Sequence, residues 1–346
     1  MAELLEVRGL VKHFPVRRGF LGRHTATVHA VDDVSFSLGE NQTLGLVGES
    51  GCGKSTTGFS ILRLIEPTAG EVWFRGQNIL GLGPERMRSL RRHMQIVFQD
   101  PFGSLNPRLT VERIIEEPLL NHETLSGSNR RERVAEALDL VGLRPEHMTR
   151  FPHEFSGGQR QRICVARALV LRPSLVVGDE PVSALDVSVR AQVLNLMVRL
   201  QRRLNLSYLF ISHDLAVIRY VSHRVGVMYL GQIVELADAK TIYAHPLHPY
   251  TRALLSAVPV PDPRRTRQRI LLKGDVPSPM NPPAGCRFHP RCPEMMPVCK
   301  EQPPLTRIAE KEHLVCCHLY ADGERWKPTA ARDGEAVPHS TEGGDL

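Results

Sequence analysis

The chain has 346 residues, 42% hydrophobic and 23% charged, enough apolar material for a packed core in roughly two domains. That composition excludes a wholly disordered, collagen-like or disulfide-scaffold protein. Lys and Arg number 44 against 37 Asp and Glu, a net charge of +7 that suits a nucleotide, an acidic surface or an anionic membrane face without choosing among them.

The N-terminus, MAELLEVRGLVKHF, carries charges where a secretory leader needs a continuous apolar core. No apolar run reaches the roughly 18 residues that span a bilayer. A cytosolic chain is therefore expected, any membrane part coming from other subunits. Apolar segments at 4–7, 28–36 and 43–47 read as strands, with a basic loop, VRRGFLGRH, between the first two. The third ends at Gly48 and a helical pattern follows from Lys54. Residues 86–99 read as a basic helix and then a strand, and 112–147 as helices with Ala135, Leu138, Leu140 and Val141 on one apolar face. From 156 the order is glycine turn, helix (159–171), strand (175–177), helix (188–204) and strand (208–211). Short apolar strands alternating with amphipathic helices predict α/β layering around a largely parallel sheet.

After Pro259 come two proline-rich stretches, PVPDPRRTRQR and DVPSPMNPPAG, and then five of the seven Cys: Cys286, Cys292, Cys299, Cys316 and Cys317. An odd count in a cytosolic chain points to metal or free thiols rather than disulfides. From about Gly323 the sequence is polar and aperiodic and reads as a disordered tail. No internal repeat is evident. The basic clusters at 86–92, 130–133 and 264–269 lack interleaved aromatics and read as solvated helix faces and a linker rather than a nucleic-acid surface.

Gly48-Glu-Ser50-Gly51-Cys52-Gly53-Lys54-Ser55, followed by Thr56, matches G-x-x-x-x-G-K-[ST]. Glycines let backbone N–H groups turn inward around phosphate, and the following helix adds its positive end. Lys54 can reach the β- and γ-phosphates and Ser55 can ligate Mg²⁺. The motif says nucleoside triphosphate but not which enzyme. Further on lie Val97-Phe98-Gln99-Asp100-Pro101, Phe155-Ser156-Gly157-Gly158-Gln159, Leu175-Val-Val-Gly178-Asp179-Glu180-Pro181, Ser183-Ala184-Leu185-Asp186 and Ile211-Ser212-His213-Asp214.

With these motifs in this order, residues 4–258 resemble the ATP-binding subunits of ABC transporters. The resemblance implies a P-loop ABC ATPase core over 1–258, with a helical signature subdomain at about 100–175, a linker and small Cys-rich region over 259–322 and a tail over 323–346. It implies ATP and Mg²⁺ as ligands. Asp179 would hold Mg²⁺, and the neighbouring Glu180 would orient or deprotonate the attacking water. His213 would contact the γ-phosphate, and Gln99 would touch Mg²⁺ and water and sense the membrane partner. Phe14 stands where the family stacks an aromatic on adenine; a core Phe at a strand end is the competing reading. Ser156, Gly158 and Gln159 would contact the nucleotide of an opposite subunit, with Asp186 at that contact. One phosphate loop and one signature require a second ATPase chain, identical or homologous. Two positions depart from the family: Phe155 replaces the commonest Leu, and Gly178 sits where an apolar strand residue is usual.

Three stretches, at 151–155, 245–259 and 285–293, resemble the oligopeptide and dipeptide importers, close to the second of their two ATPase subunits; nickel importers share them. The implied partners are a homologous ATPase, two membrane permeases and a solute-binding protein, at the cytoplasmic face of the inner membrane, with no nucleic acid. A soluble ABC-type ATPase acting on nucleic acid or ribosomes is the alternative, which the single ATPase unit disfavours. Cys286, Cys292 and Cys299 are separated by five and six residues, with Cys316-Cys317 after sixteen, too open for the usual zinc pairs. Thiolates gathered from a loop-rich segment suit an iron–sulfur cluster. The resemblance implies a four-iron four-sulfur cluster on Cys286, Cys292, Cys299 and Cys317, with Cys316 as a spare that could also reach and free thiols or structural zinc as the alternatives, far along the chain from the phosphate loop and expected to fold the tail or regulate.

Overall fold

A computed structural model describes residues 3–18, 24–258, 269–310 and 312–326. The chain opens with β1 (Glu3–Arg18), β2 (His24–Gly39), β3 (Thr43–Val47), α1 (Lys54–Ile61), β4 (Ala69–Phe74), β5 (Gln77–Asn78), α2 (Pro84–Arg91) and β6 (Met94–Val97). Helices α3 (Pro101–Ser104), α4 (Val111–His122), α5 (Gly127–Leu140) and α6 (Gly157–Leu169) precede β7 (Leu175–Asp179). Then follow α7 (Val187–Leu204), β8 (Ser207–Ser212), α8 (Leu215–Val221), β9 (Arg224–Tyr229), β10 (Gln232–Asp238), α9 (Ala239–Ala244) and α10 (Pro249–Ser256). The C-terminal region adds α11 (Val298–Glu301), β11 (Thr306–Glu310), β12 (His313–Cys316) and β13 (Glu324–Arg325).

The parallel part of the main sheet has the order β9-β3-β8-β7-β6. Every residue of β3, β7 and β8 is buried, as expected of parallel strands covered on both faces. Alternation sorts their side chains. Leu46, Val177, Leu209 and Ile211 face a core shared with β1 and β2, while Val176, Tyr208 and Phe210 face the core under the helices. Three strands thus deliver three loops to one edge: β3 leads into the phosphate loop, β7 ends at Asp179 and β8 leads to His213. A crevice beyond the carboxyl ends of parallel strands is the usual ligand site of such sheets.

The expectation of a largely parallel sheet needs correction. Strands β10, β12, β11 and β13 extend it antiparallel, and β2-β1-β4-β5 form a separate antiparallel sheet. The reversal occurs at Leu230-Gly231, both at positive φ (42° and 83°), a two-residue turn between the paired Tyr229 and Gln232. Such turns twist with the strands they join, and Leu at positive φ gives little warning in sequence. Strands β1 and β2 are also longer than the segments at 4–7 and 28–36. The basic loop between them is strand at both ends, and its residues 19–23 lie outside the described residues.

In α5 the buried face is Val134, Ala137 and Leu138, continued by Val141, with Ala135 and Leu140 at its edge. Phe155 is buried and meets His147 edge-on at 5.4 Å, so the larger signature residue packs. Gly178 leaves room for a proline ring: an added Cβ would stand 3.2 Å from Pro181 Cγ. The reading of a disordered tail is corrected at its start, since Glu324 and Arg325 pair with Ile308 and Arg307; residues 327–346 lie outside the described residues. The basic clusters are largely tied internally, Arg92 to Glu123, Arg130 to Glu116, Arg131 to Glu112 and Arg133 to the Val170 carbonyl. Within the third cluster, 264–268 lie outside the described residues. Among the described residues no helix is long and apolar enough to cross a membrane.

Candidate functional site

The loop between β3 and α1 is held open by backbone geometry that only glycine adopts easily. Gly53 has φ 106°, and a Cβ there would stand 2.1 Å from the Ala30 carbonyl oxygen. A Cβ on Gly48 would stand 2.1 Å from the Met228 carbonyl oxygen. The Lys54 ammonium is buried and donates to the carbonyls of Gly48 (2.8 Å) and Glu49 (2.9 Å), folded back on its own loop. Ser55 Oγ donates to Asp179 Oδ1 at 2.6 Å, which puts the two expected Mg²⁺ ligands side by side. Burial, reinforced by Glu180, raises the Asp179 carboxyl above its ordinary value, against the Ser55 hydrogen bond and the Lys54 charge.

Glu180 follows the strand end at φ 47°, the left-handed region that costs a non-glycine residue free energy and clusters at functional sites. Its N–H donates to the Ile211 carbonyl at 2.9 Å, locking β7 to β8 at the site. Its carboxylate stands between two side chains: Oε1 lies 2.9 Å from His213 Nδ1, and Oε2 accepts from Gln99 Nε2 at 3.2 Å. Ser50, Gly51, Gly53, Lys54, Ser55, Thr56, Gln99, Glu180 and His213 all line one cleft. The donor set is that of a magnesium nucleotide site: a hydroxyl, a carboxylate and an amide beside a cationic loop.

Other expected residues are placed elsewhere. Cys52 is buried beneath the loop, its N–H turned to the Glu49 carbonyl and its thiol raised by burial. Phe14 is half-buried beneath the Lys12 ammonium, and its strand partner Val28 lines the cleft in its place. It is not a core residue, and as the direct partner of Val28 it shares the face of the strand pair that borders the cleft. Ser156 and Gln159 form a reciprocal cap at the start of α6, the Gln159 side-chain Oε1 accepting the Ser156 N–H at 3.0 Å. Gly158 lies against α7, where a Cβ would stand 2.2 Å from Val189. None of the three lines this chain's own cleft. Asp186 is exposed at the start of α7, next to Val187, which is 80% exposed.

Several contributors were not legible in sequence. Pro279 lines the cleft and its carbonyl accepts the His29 N–H at 2.9 Å. Arg291 grips the Glu49 carboxylate of the phosphate loop with two hydrogen bonds, 2.8 and 3.2 Å. The Tyr250 hydroxyl accepts the Glu49 N–H at 3.0 Å from within a buried cluster of Tyr229, Tyr250 and Phe288. The region expected to lie far from the phosphate loop therefore rests on it, carried back by the pairing of β12 with β10. Buried Glu235 ties the return, accepting from the N–H groups of Leu247 and His248 and lying 2.8 Å from His313 Nε2. Arg291→Ala leaves the Glu49 carboxylate without its partner in a half-buried setting; an expected loss of about 1–3 kcal/mol is checked by denaturant unfolding, with far-UV circular dichroism unchanged.

Comparison with known proteins agrees with this geometry. A family model described as ABC transporter matches residues 31–183, and one described as oligopeptide/dipeptide transporter, C-terminal region, matches 234–299. The oligopeptide transport ATP-binding protein AppF of Bacillus subtilis is 56% identical over 321 residues, 92% of this chain and 98% of that one. A probable peptide ABC transporter ATP-binding protein of Sinorhizobium fredii is 52% identical over 319 residues, 92% and 90% of the two chains. Among solved structures, a dimeric ATP-binding cassette in a post-hydrolysis state, bound to ADP and phosphate, superposes with TM-score 0.60 at 27% identity, over 68% of this chain and 98% of that one.

The same comparisons overturn the iron–sulfur expectation. The matched families and relatives are described as ATP-binding proteins of peptide transport, with no cluster in any description. Burial raises the Cys286 and Cys292 thiols and lifts that of Cys317 to about 12. Cys286, Cys299 and Cys317 are instead buried, Cys286 donating its N–H to the Cys299 carbonyl at 2.8 Å. With its phosphate loop, its Asp179-Glu180 strand end and a relative matched almost end to end, the chain belongs to the ABC transporter ATP-binding proteins, in their oligopeptide/dipeptide branch, and is an ATPase of that type.

Proposed function

We propose that this ATPase drives import of oligopeptides or dipeptides through a membrane complex, as one of two ATP-binding subunits. The observation that carries the catalytic reading is the Glu180 carboxylate, held between Gln99 and His213 on the wall of the phosphate-loop cleft. Lys54 exchanges the carbonyls of Gly48 and Glu49 for the β- and γ-phosphates, and the loop N–H groups receive the remaining phosphate charge. Ser55, Asp179 and Gln99 are the residues that hold Mg²⁺, which neutralises phosphate charge when bound. Glu180 orients the attacking water and takes its proton, and His213 contacts the γ-phosphate. Phosphoryl transfer depends mainly on such positioning and electrostatics.

The exposed Ser156 and its neighbours Gly158 and Gln159, remote from their own cleft, fit the nucleotide of a second ATPase chain, with Asp186 at the contact. We take that chain to be homologous rather than identical. The substrate class rests on the relatives, which are described as oligopeptide and peptide transport proteins. The helices between β6 and β7 form the signature subdomain facing two permeases, and a solute-binding protein delivers the peptide from outside. This places the chain peripherally on the cytoplasmic face of the inner membrane. The Cys-rich C-terminal region acts as a brace on the phosphate loop. Co-purification with detergent-solubilised permeases supports this reading; co-purification with RNA or ribosomes instead contradicts it.

Gln99 joins the cleft to the helices that follow β6. Gln99→Ala is expected to leave ATP binding near normal while separating hydrolysis from uptake. Simultaneous measurement of both in proteoliposomes checks this, and equal preservation of both removes Gln99 from coupling.

A further inference from the structure

We propose that His13, His29 and Asp32 form a binding site for a divalent transition-metal ion of the zinc or cobalt type, on the strand pair that borders the nucleotide cleft. Among the described residues this is the only group of three or more His, Cys, Asp or Glu whose ligand atoms all lie within 4.8 Å of one another. His13 and His29 are direct partners across β1 and β2, so their imidazoles share a face, 4.2 Å between ring centroids. In a regular strand Asp32, three residues beyond His29, points to the opposite face. The register shift between Lys12 and His13 inserts an extra residue in β2 and turns Asp32 onto the histidine face.

The atoms that converge are the ones a metal takes. His13 Nε2 lies 3.4 Å from Asp32 Oδ1 and His29 Nδ1 lies 3.7 Å from Asp32 Oδ2. Two ligands about 2.1 Å from a tetrahedral ion stand roughly 3.4 Å apart, the spacing of His13 Nε2 and Asp32 Oδ1. Both imidazole nitrogens are shielded from water and have no hydrogen-bond partner, although buried polar atoms almost always find one. An ion between the three supplies that partner. Two imidazoles and one carboxylate suit zinc, cobalt or nickel rather than magnesium. The side chains keep 24–29% exposure, which leaves an entry path.

Among the described residues Arg287 is the cation paired with this group. It donates to Asp32 Oδ2 and to the Leu230 carbonyl, which leaves Oδ1 facing His13. A donor on the distal oxygen orients a metal-binding carboxylate. The nearby Lys12 ammonium is engaged by the Glu66 carbonyl at 2.7 Å. The site adjoins the nucleotide cleft along the chain: Val28 and Ala30, on either side of His29, line that cleft, and the Asp32 N–H donates to the Gly231 carbonyl at 2.8 Å.

The test is titration of the chelator-treated full chain with Co²⁺, without nucleotide. The expected result is one Co²⁺ per chain with visible d–d bands, no intense near-ultraviolet thiolate-to-cobalt absorption, and displacement by Zn²⁺. His29→Ala and Asp32→Asn should each weaken binding by at least about 100-fold. Asp32 also holds Arg287, so His13→Gln, which leaves that pair intact, is the deciding variant, with its thermal melting compared to wild type. The proposal is overturned by absence of the bands, by thiolate absorption in their place, or by unchanged binding in His13→Gln. Loss of the signal in Asp179→Asn but not in His13→Gln assigns the ion to the nucleotide cleft and likewise overturns it.

Discussion

Glu180→Gln is expected to slow ATP turnover by roughly 100- to 1,000-fold, on the scale of losing one positioned catalytic group, while ATP still binds. The amide keeps the size of the carboxylate and the backbone at φ 47° stays pinned by the Ile211 carbonyl, so the cleft retains its shape. What is lost is the acceptor for the water's proton, at the position now held by His213 and Gln99. Unhydrolysed ATP then accumulates in a closed pair of ATPase chains. Single-turnover hydrolysis with size analysis checks both parts. Wild-type turnover of this variant in the assembled transporter means that Glu180 is not the base.

Lys54→Ala acts earlier, on binding itself. A hydrogen bond to a charged group contributes about 1.5–3 kcal/mol, and two phosphates compete for this ammonium, so ATP affinity is expected to fall by about 100-fold or more. The loss should appear in equilibrium binding before any turnover is measured. The variant also leaves the carbonyls of Gly48 and Glu49 without their donor, so its melting temperature is measured alongside. A Lys54→Ala chain that folds and binds ATP at wild-type affinity contradicts the assigned role.

The two variants separate because the sequence carries the two halves of the cleft differently. The phosphate loop is legible from adjacent residues: glycines at fixed spacing, then Lys54 and Ser55, between a five-residue buried strand and a helix. Asp179, Glu180 and His213 are legible only as strand ends whose parallel pairing brings them together. Nothing local announces the third wall. Arg291 and Tyr250 reach the loop, and Pro279 the cleft, from segments that follow the reversal of β10 at Leu230-Gly231, a long-range arrangement with no periodic trace. The cysteines misled for a related reason. Their spacing was open enough for a cluster, but Cys286, Cys299 and Cys317 are buried as small apolar side chains of the C-terminal region. Phe14 keeps the position that the motif gives it, paired across the strands with Val28 of the cleft lining.

Bracing of the phosphate loop by the C-terminal region gives a physical reason for the two matched family segments to occur in one chain. The segment at 234–299 contains Tyr250 and Arg291, which hold Glu49 within the segment at 31–183. The measurement that bears most directly on the whole account is uptake of a labelled oligopeptide by proteoliposomes holding this chain, its partner ATPase and the two permeases, with the solute-binding protein added. The account predicts ATP-dependent accumulation that stops with Glu180→Gln. ATP hydrolysis by the intact complex with no peptide accumulation, or hydrolysis stimulated by RNA in its place, would contradict it.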